Sequence, residues 1–130
     1  MDPVRMPFTV GRPITEAKAD LFKALAHPAR VRVLELLAER EYTVGELAAE
    51  TGMEISHLSQ QVSVLRRAGI VDGRRVKNSV ICSLRDPQTA ELLAVARRML
   101  TLNLRQGQAL LAELDNTDDA VSLADSRVTA

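Results

Sequence analysis

From residue 14 the chain repeats apolar side chains at intervals of three and four, the spacing of one helix face. Ile14, Ala17, Leu21 and Leu25 keep it to about Ala26, with Thr15 able to cap a helix that starts near Glu16. Pro28 suits the first turn of a second helix, where its missing N–H costs nothing. VRVLELLAER continues that helix, and Val33, Leu34 and Leu37 give it the broad apolar face of a central core element. Thr43 and Glu46 stand at the spacing of a capping box, opening the short helix VGELAAE that Gly52 ends. The next helix covers residues 54–67 and stops at Gly69. The helical period is then lost in VDGRRVKNSVICSL, where Val76, Val80 and Ile81 support two short strands around a Lys77-Asn78 turn. Pro87 opens a last helix from about Gln88 to Leu114, ~40 Å long at the helical rise.

The predicted order is helix, helix, helix, helix, two strands, helix: a mainly α fold with a small β-hairpin. Two short helices around a glycine-containing turn, followed by a hairpin, make a winged helix-turn-helix. One domain over residues 14–115 accommodates it. Residues 1–13, with Pro3, Pro7, Gly11 and Pro13, read as a flexible arm, and the polar, acidic residues 116–130 as a disordered tail.

The helix ISHLSQQVSVLRR has an unusual division. On a wheel of 100° per residue, Ile55, Leu58, Val62 and Leu65 form a buried seam. Ser56, Gln60, Ser63 and Arg67 point the opposite way, flanked by His57 and Ser59. A merely solvated face would favour Lys and Glu. This one offers short side chains that both donate and accept hydrogen bonds, as base edges in a major groove require: Gln for adenine, Ser for any base, Arg for guanine or phosphate. The hairpin that follows adds Arg74, Arg75, Lys77 and Asn78, placed to straddle a phosphate backbone or enter the minor groove. Such cations also protect an exposed sheet edge, but beside a Ser/Gln helix they favour DNA.

The formal net charge is zero over 130 residues, which on its face argues against a nucleic-acid binder. The distribution overrides the sum. Met53 to Asn78 holds five basic residues against two acidic, whereas Glu113 to Ala130 holds five acidic against one basic. Aromatic residues are 2%, so the core must be aliphatic. No apolar run approaches the roughly 18 residues that span a bilayer, and MDPVRMPFTVGRP has no apolar stretch of the signal-peptide kind. A single cysteine, Cys82, forbids an internal disulfide and is compatible with a cytoplasmic location. No Ser/His/Asp grouping or Gly-rich phosphate loop suggests an enzyme.

FKALAHPARVRVLELL (22–37), TVGELAAETG (43–52), LSQQVSVLRRAGIV (58–71) and VICSLRDP (80–87) together resemble the ArsR/SmtB family of winged-helix transcriptional regulators. The resemblance covers most of residues 14 to 115. It implies a homodimer joined by the first and last helices, through residues such as Leu21, Leu25, Leu93, Leu100, Leu110 and Leu114. It also implies a repressor that binds a double-stranded DNA operator, an inverted repeat, under the control of a signal. Along the last helix Leu93, Ala96, Leu100, Asn103, Gly107, Leu110 and Leu114 alternate spacings of three and four, as a helix–helix seam does. A winged-helix module that acts through a protein partner is the rival expectation.

The family's usual metal sites do not carry over, so no metal cofactor is expected. Ala48 and Glu50 stand where the arsenic-type site has thiolates, Asp86-Pro87-Gln88 lacks the imidazole of the Asp-x-His pattern, and no His follows His57. Thiolate and imidazole are the ligands that soft and borderline metals require. Where the family commonly has Ser-Gln-His, this chain has Ser59-Gln60-Gln61. His27 is expected to cap a helix or meet the partner subunit, and Cys82 to pack half-buried in a strand. The remaining candidate signals are a small organic effector, oxidation at Cys82, a metal site of another kind (shared between subunits, or built on His27 with carboxylates such as Asp20), or none.

Overall fold

The structure is a computed structural model that describes residues 13–129, with side chains through Asn116. The expected arm thus lies outside the described residues except for Pro13. The chain divides into two compact units between Leu92 and Leu93.

The first unit holds α1 (Ile14–Leu25), α2 (Pro28–Glu39), β1 (Tyr42–Thr43), α3 (Val44–Thr51), α4 (Ile55–Arg67), β2 (Val71–Val76), β3 (Ser79–Leu84) and the first turns of α5 (Gln88–Thr129). Helix α1 starts two residues earlier than expected. Pro13, in an extended conformation, precedes Ile14, and its carbonyl accepts from the Ala17 N–H, so Thr15 is not the cap. At α2 the cap is His27, whose Nδ1 accepts from the Ala29 N–H at 3.1 Å, with Pro28 in the first turn. The capping box of α3 is complete. The Glu46 N–H donates to Thr43 Oγ1 at 3.0 Å and the Thr43 N–H to Glu46 Oε1 at 2.8 Å. That backbone hydrogen bond holds the Glu46 carboxyl below its ordinary pKa.

Gly52 ends α3 at φ 70°, a left-handed conformation that costs a side-chain-free residue least, and so sets the turn into α4. Leu34 of α2, Leu47 of α3 and Leu58 and Leu65 of α4 are fully buried, with Val62 at 3%, so the three helices share one aliphatic core. Ile55 departs from the expected seam and is 56% exposed. It is the first residue of α4, and the helical wheel ignores where a helix ends; the first side chain to reach the core is Leu58, one turn later.

The sheet has three strands in the order β1-β3-β2, all antiparallel. The two-residue β1 went unseen in the sequence because it is too short for an alternating pattern. It pairs Tyr42 with Cys82 and Thr43 with Ile81. Strand β3 is therefore central, and Cys82 lies between Tyr42 on one side and Gly73 on the other. This corrects the half-buried expectation for Cys82, which is fully buried. Burial pushes its thiol pKa up, partly opposed by the Arg66 guanidinium.

The second unit is the rest of α5. The helix was expected to end near Leu114 and give way to a disordered tail. It instead remains helical through Thr129, 42 residues and ~63 Å in all. No proline or glycine follows Gly107 to break it. Leu100, Leu102, Leu104, Leu110, Leu111 and Leu114 are each at least half exposed within the single chain.

The position of Cys82 generates a prediction. Thiols react as thiolates, and this one is both covered and held in the neutral form. Alkylation of the native protein at mildly alkaline pH should run roughly a hundredfold slower than for unfolded chain, since it must await opening of the sheet. Mass-spectrometric timing of iodoacetamide uptake checks this; native and unfolded rates within a few-fold of each other would show an accessible thiolate.

Candidate nucleic-acid interface

The seam Leu58, Val62, Leu65 anchors α4 by one side and leaves the other open. Ser56, His57, Gln60, Ser63 and Arg67 are all exposed and Ser59 is half-buried, so the expected face exists as one surface. At its start Ser56 Oγ donates to Glu54 Oε1 at 3.2 Å, which brings a carboxylate to the helix N-terminus. Gln61 is turned partly inward, and its buried Oε1 has no hydrogen-bond partner within the protein. Gln60 and Gln61 are therefore not equivalent: Gln60 is exposed, whereas Gln61 is half-buried with its carbonyl oxygen covered.

In the hairpin, β2 and β3 pair from Val71↔Leu84 to Val76↔Ser79, which leaves Lys77 and Asn78 as the tip. Lys77 has φ 56°, an uncommon backbone for a residue with a side chain. Arg74, Arg75, Lys77 and Asn78 are all exposed, but alternation separates the arginines. Arg75 shares its face with Gly73 and buried Val71, whereas Arg74 projects from the other and meets Glu41 at 3.6 Å. Among the described residues no carboxylate pairs with Arg75 or Lys77. The sequence could not show this difference, because Glu41 lies in a remote segment brought beside the wing by β1.

Two further arginines escaped the sequence reading. Arg66 and Arg85, with Arg67 and Ser63, line a cleft of about 450 Å³ between the end of α4 and the base of the hairpin. Arg85 holds Asp72 through Nε at 3.0 Å and Nη2 at 2.9 Å. Arg66 crosses β2 so closely at Gly73 that a Cβ there would lie 2.7 Å from its Cζ and Nε. The signal available was the glycine itself, an isolated Gly inside a strand pattern, which marks a close approach.

The residues expected at a dimer contact fall into two groups. Leu100, Leu110 and Leu114 are exposed in the single chain, and Leu93 is half-buried. Leu25, in contrast, is already buried within its own chain, and half-buried Leu21 lies with it beside an apolar cleft of about 380 Å³. What α1 leaves open is Ile14, 60% exposed, and Phe22, 56% exposed, neither of which was expected at the dimer contact, although Ile14 was placed on the helix's apolar face. Among the described residues no three His, Cys, Asp or Glu side chains gather where they could hold a metal ion. No helix is long and apolar enough to cross a membrane among those residues.

Comparison with known proteins agrees with this geometry. The family model "Bacterial regulatory protein, arsR family" matches residues 27–72, from the cap of α2 into β2. An uncharacterised HTH-type transcriptional regulator of Mycobacterium tuberculosis, Rv0081, is 53% identical over 103 residues, covering 78% of this chain and 90% of that protein. The crystal structure of Rv0081 superposes with a TM-score of 0.67, covering 74% of this chain and 97% of that one. A biofilm growth-associated repressor of Agrobacterium fabrum is 40% identical over 98 residues, covering 70% of this chain and 84% of that protein. A Mycobacterium bovis domain, Mb0332, described as a homodimeric winged helix-turn-helix DNA-binding domain, superposes with a TM-score of 0.64 at 27% identity, covering 75% of this chain and 95% of that one. The chain belongs to the arsR family of bacterial regulatory proteins and is a winged helix-turn-helix transcriptional regulator, not an enzyme.

Proposed function

We propose that this protein is a cytoplasmic homodimeric repressor that sets α4 in the major groove of an inverted-repeat operator and lays the hairpin along the flanking backbone or minor groove. One observation carries the reading: a neutral face of Ser56, Gln60 and Ser63 lies open on a helix anchored by its other side, beside Arg75 and Lys77, cations with no carboxylate partner among the described residues. His57, Ser59 and Arg67 extend that face, and Arg74 and Asn78 extend the hairpin's contact. The division of labour follows from chemistry: neutral donor–acceptor groups discriminate bases, and cations neutralise phosphates of any sequence.

Gln60→Ala or Ser63→Ala should therefore relax sequence preference at ~1–3 kcal/mol per lost base contact. Arg75→Ala and Lys77→Ala should weaken every duplex alike and flatten the log–log salt dependence by ~0.9 each. Arg74→Ala should do less, because Glu41 already engages that guanidinium. Anisotropy titrations across salt concentrations measure all of these. Wing variants with unchanged affinity and slope would remove the hairpin from the interface.

The homodimer is supported by the exposed leucines of α5, since helices with so much uncovered apolar surface associate in water. A double substitution, Leu100→Lys with Leu110→Lys, alters side chains that the single chain leaves in solvent. It should yield folded monomers with collapsed operator affinity, because two half-sites ~34 Å apart must be held together. Sedimentation of the intact and substituted proteins decides it, and a monomeric intact protein at micromolar concentration refutes it.

The signal, on this reading, is not a metal bound at the family's thiolate or histidine sites. His27 Nδ1 is occupied as a helix cap, Cys82 is fully buried and His57 lies on α4, so these three are dispersed. Coupling metal to DNA release needs ligands that gather at one ion and favour one dimer geometry. Zinc, nickel, cobalt and arsenite titrated into the DNA complex should leave it intact. Stoichiometric binding at sub-micromolar affinity with DNA release would overturn this.

A further inference from the structure

The cleft between the end of α4 and the base of the hairpin is not needed to explain base reading or the wing tip. Its chemistry is one-sided: Arg66, Arg67 and Arg85 face a single carboxylate, Asp72, which Arg85 already holds at 2.9 Å. Among the described residues nothing anionic pairs with Arg66 or Arg67. Two guanidiniums lining one cleft without a counter-charge suit a ligand with two or more anionic oxygens, and their planar forks match phosphate. The cleft also continues the outward face of α4, because Ser63 and Arg67 belong to both. A duplex lying against that face passes the mouth of the cleft.

We propose that this cleft seats a backbone phosphate of the bound duplex between Arg66 and Arg67, and that Gly73 is the positioning residue that leaves Arg66 room to lie across β2. The seat depends on a missing side chain: with any Cβ at position 73, the Arg66 guanidinium must move from where it now rests. Gly73 has no left-handed backbone that would demand glycine, so the strand itself does not explain its presence. The inference rests on DNA binding as proposed above and adds a contact through Arg66, which belongs to neither the recognition face nor the wing tip.

Phosphate contacts are indifferent to sequence, so a labelled random-sequence duplex of about 30 base pairs, near three helical turns, serves as probe. Intact protein and the variants Arg66→Gln, Gly73→Ala and Arg66→Lys are titrated against it at a series of KCl concentrations, with an Arg75→Gln/Lys77→Gln protein as reference. Arg66→Gln should lose roughly tenfold in affinity, the scale of one charge-assisted hydrogen bond, and its salt slope should be shallower by ~0.9. Gly73→Ala keeps every charge and should still move affinity and slope the same way, at an unchanged thermal midpoint. Arg66→Lys should keep the slope and lose part of the affinity. If Arg66→Gln and Gly73→Ala bind like the intact protein while the wing reference weakens, the seat is refuted and the DNA-binding reading stands. If the intact protein binds no duplex, both fail. Calorimetry with inorganic phosphate is the last arm: Arg66-dependent uptake of free phosphate, with duplex binding unchanged by Arg66→Gln, would assign the cleft to a free anion and overturn the proposal.

Discussion

The joint at Tyr42 and Thr43 is the constraint on which the rest depends. These two residues pair with Cys82 and Ile81 of the central strand and so fix the hairpin to the chain just ahead of α3. The Thr43 hydroxyl then accepts from the Glu46 N–H and starts α3. One residue thus ends a strand and begins a helix, with no loop between them to absorb motion. Because α3 and α4 share the core built on Leu47 and Leu58, the angle between α4 and the hairpin is set through this joint. A reading head with two parts needs such a fixed angle, since a groove and its flanking backbone lie at a fixed separation.

Electrostatics are organised by position rather than by total. A chain of zero net charge can still carry a local cationic surface when its acidic groups are paired, capped or remote. Glu46 serves a helix cap, Asp72 holds Arg85, and Glu41 holds Arg74. Each removes a carboxylate from competition. The exception is Glu54, whose carboxylate stays exposed at the start of α4 and accepts from Ser56. An anion there repels phosphate and can accept from a cytosine amino group, so that end of the helix is poorly suited to backbone contact.

Much of this was legible in the sequence, for physical reasons. Capping boxes, proline at a helix start and the three-and-four apolar period are local signals, so α2, α3 and α4 could be placed closely. The hairpin was legible because the helical period stops and β-branched residues begin. What was not legible is non-local. Strand β1 exists only through its pairing with β3, and it buries Cys82 and brings Glu41 to Arg74. The exposure of Ile55 follows from its place at the very start of α4, and the burial of Leu25 from packing against residues distant in sequence, such as those around Ile70. Arg66 and Arg67 are neighbours in sequence, but the fold sends Arg66 across Gly73 and leaves Arg67 exposed at the end of α4. The extent of α5 was missed for another reason: an acidic composition suggested disorder, while the chain past Gly107 contains no helix breaker.

The aliphatic core has an optical consequence. The chain has no tryptophan and one tyrosine, Tyr42, which is 5% exposed in the joint between hairpin and helices. The Arg40 guanidinium lies 3.6 Å from the centre of its ring, and its hydroxyl donates to Glu39 Oε2 at 3.4 Å. Near-ultraviolet absorption and emission of the unlabelled protein therefore come from a single dominant chromophore, held beneath a cation at the joint between hairpin and helices. A ligand that strained this joint would disturb that ring's surroundings, so the molecule carries its own spectroscopic gauge of the angle between hairpin and helices.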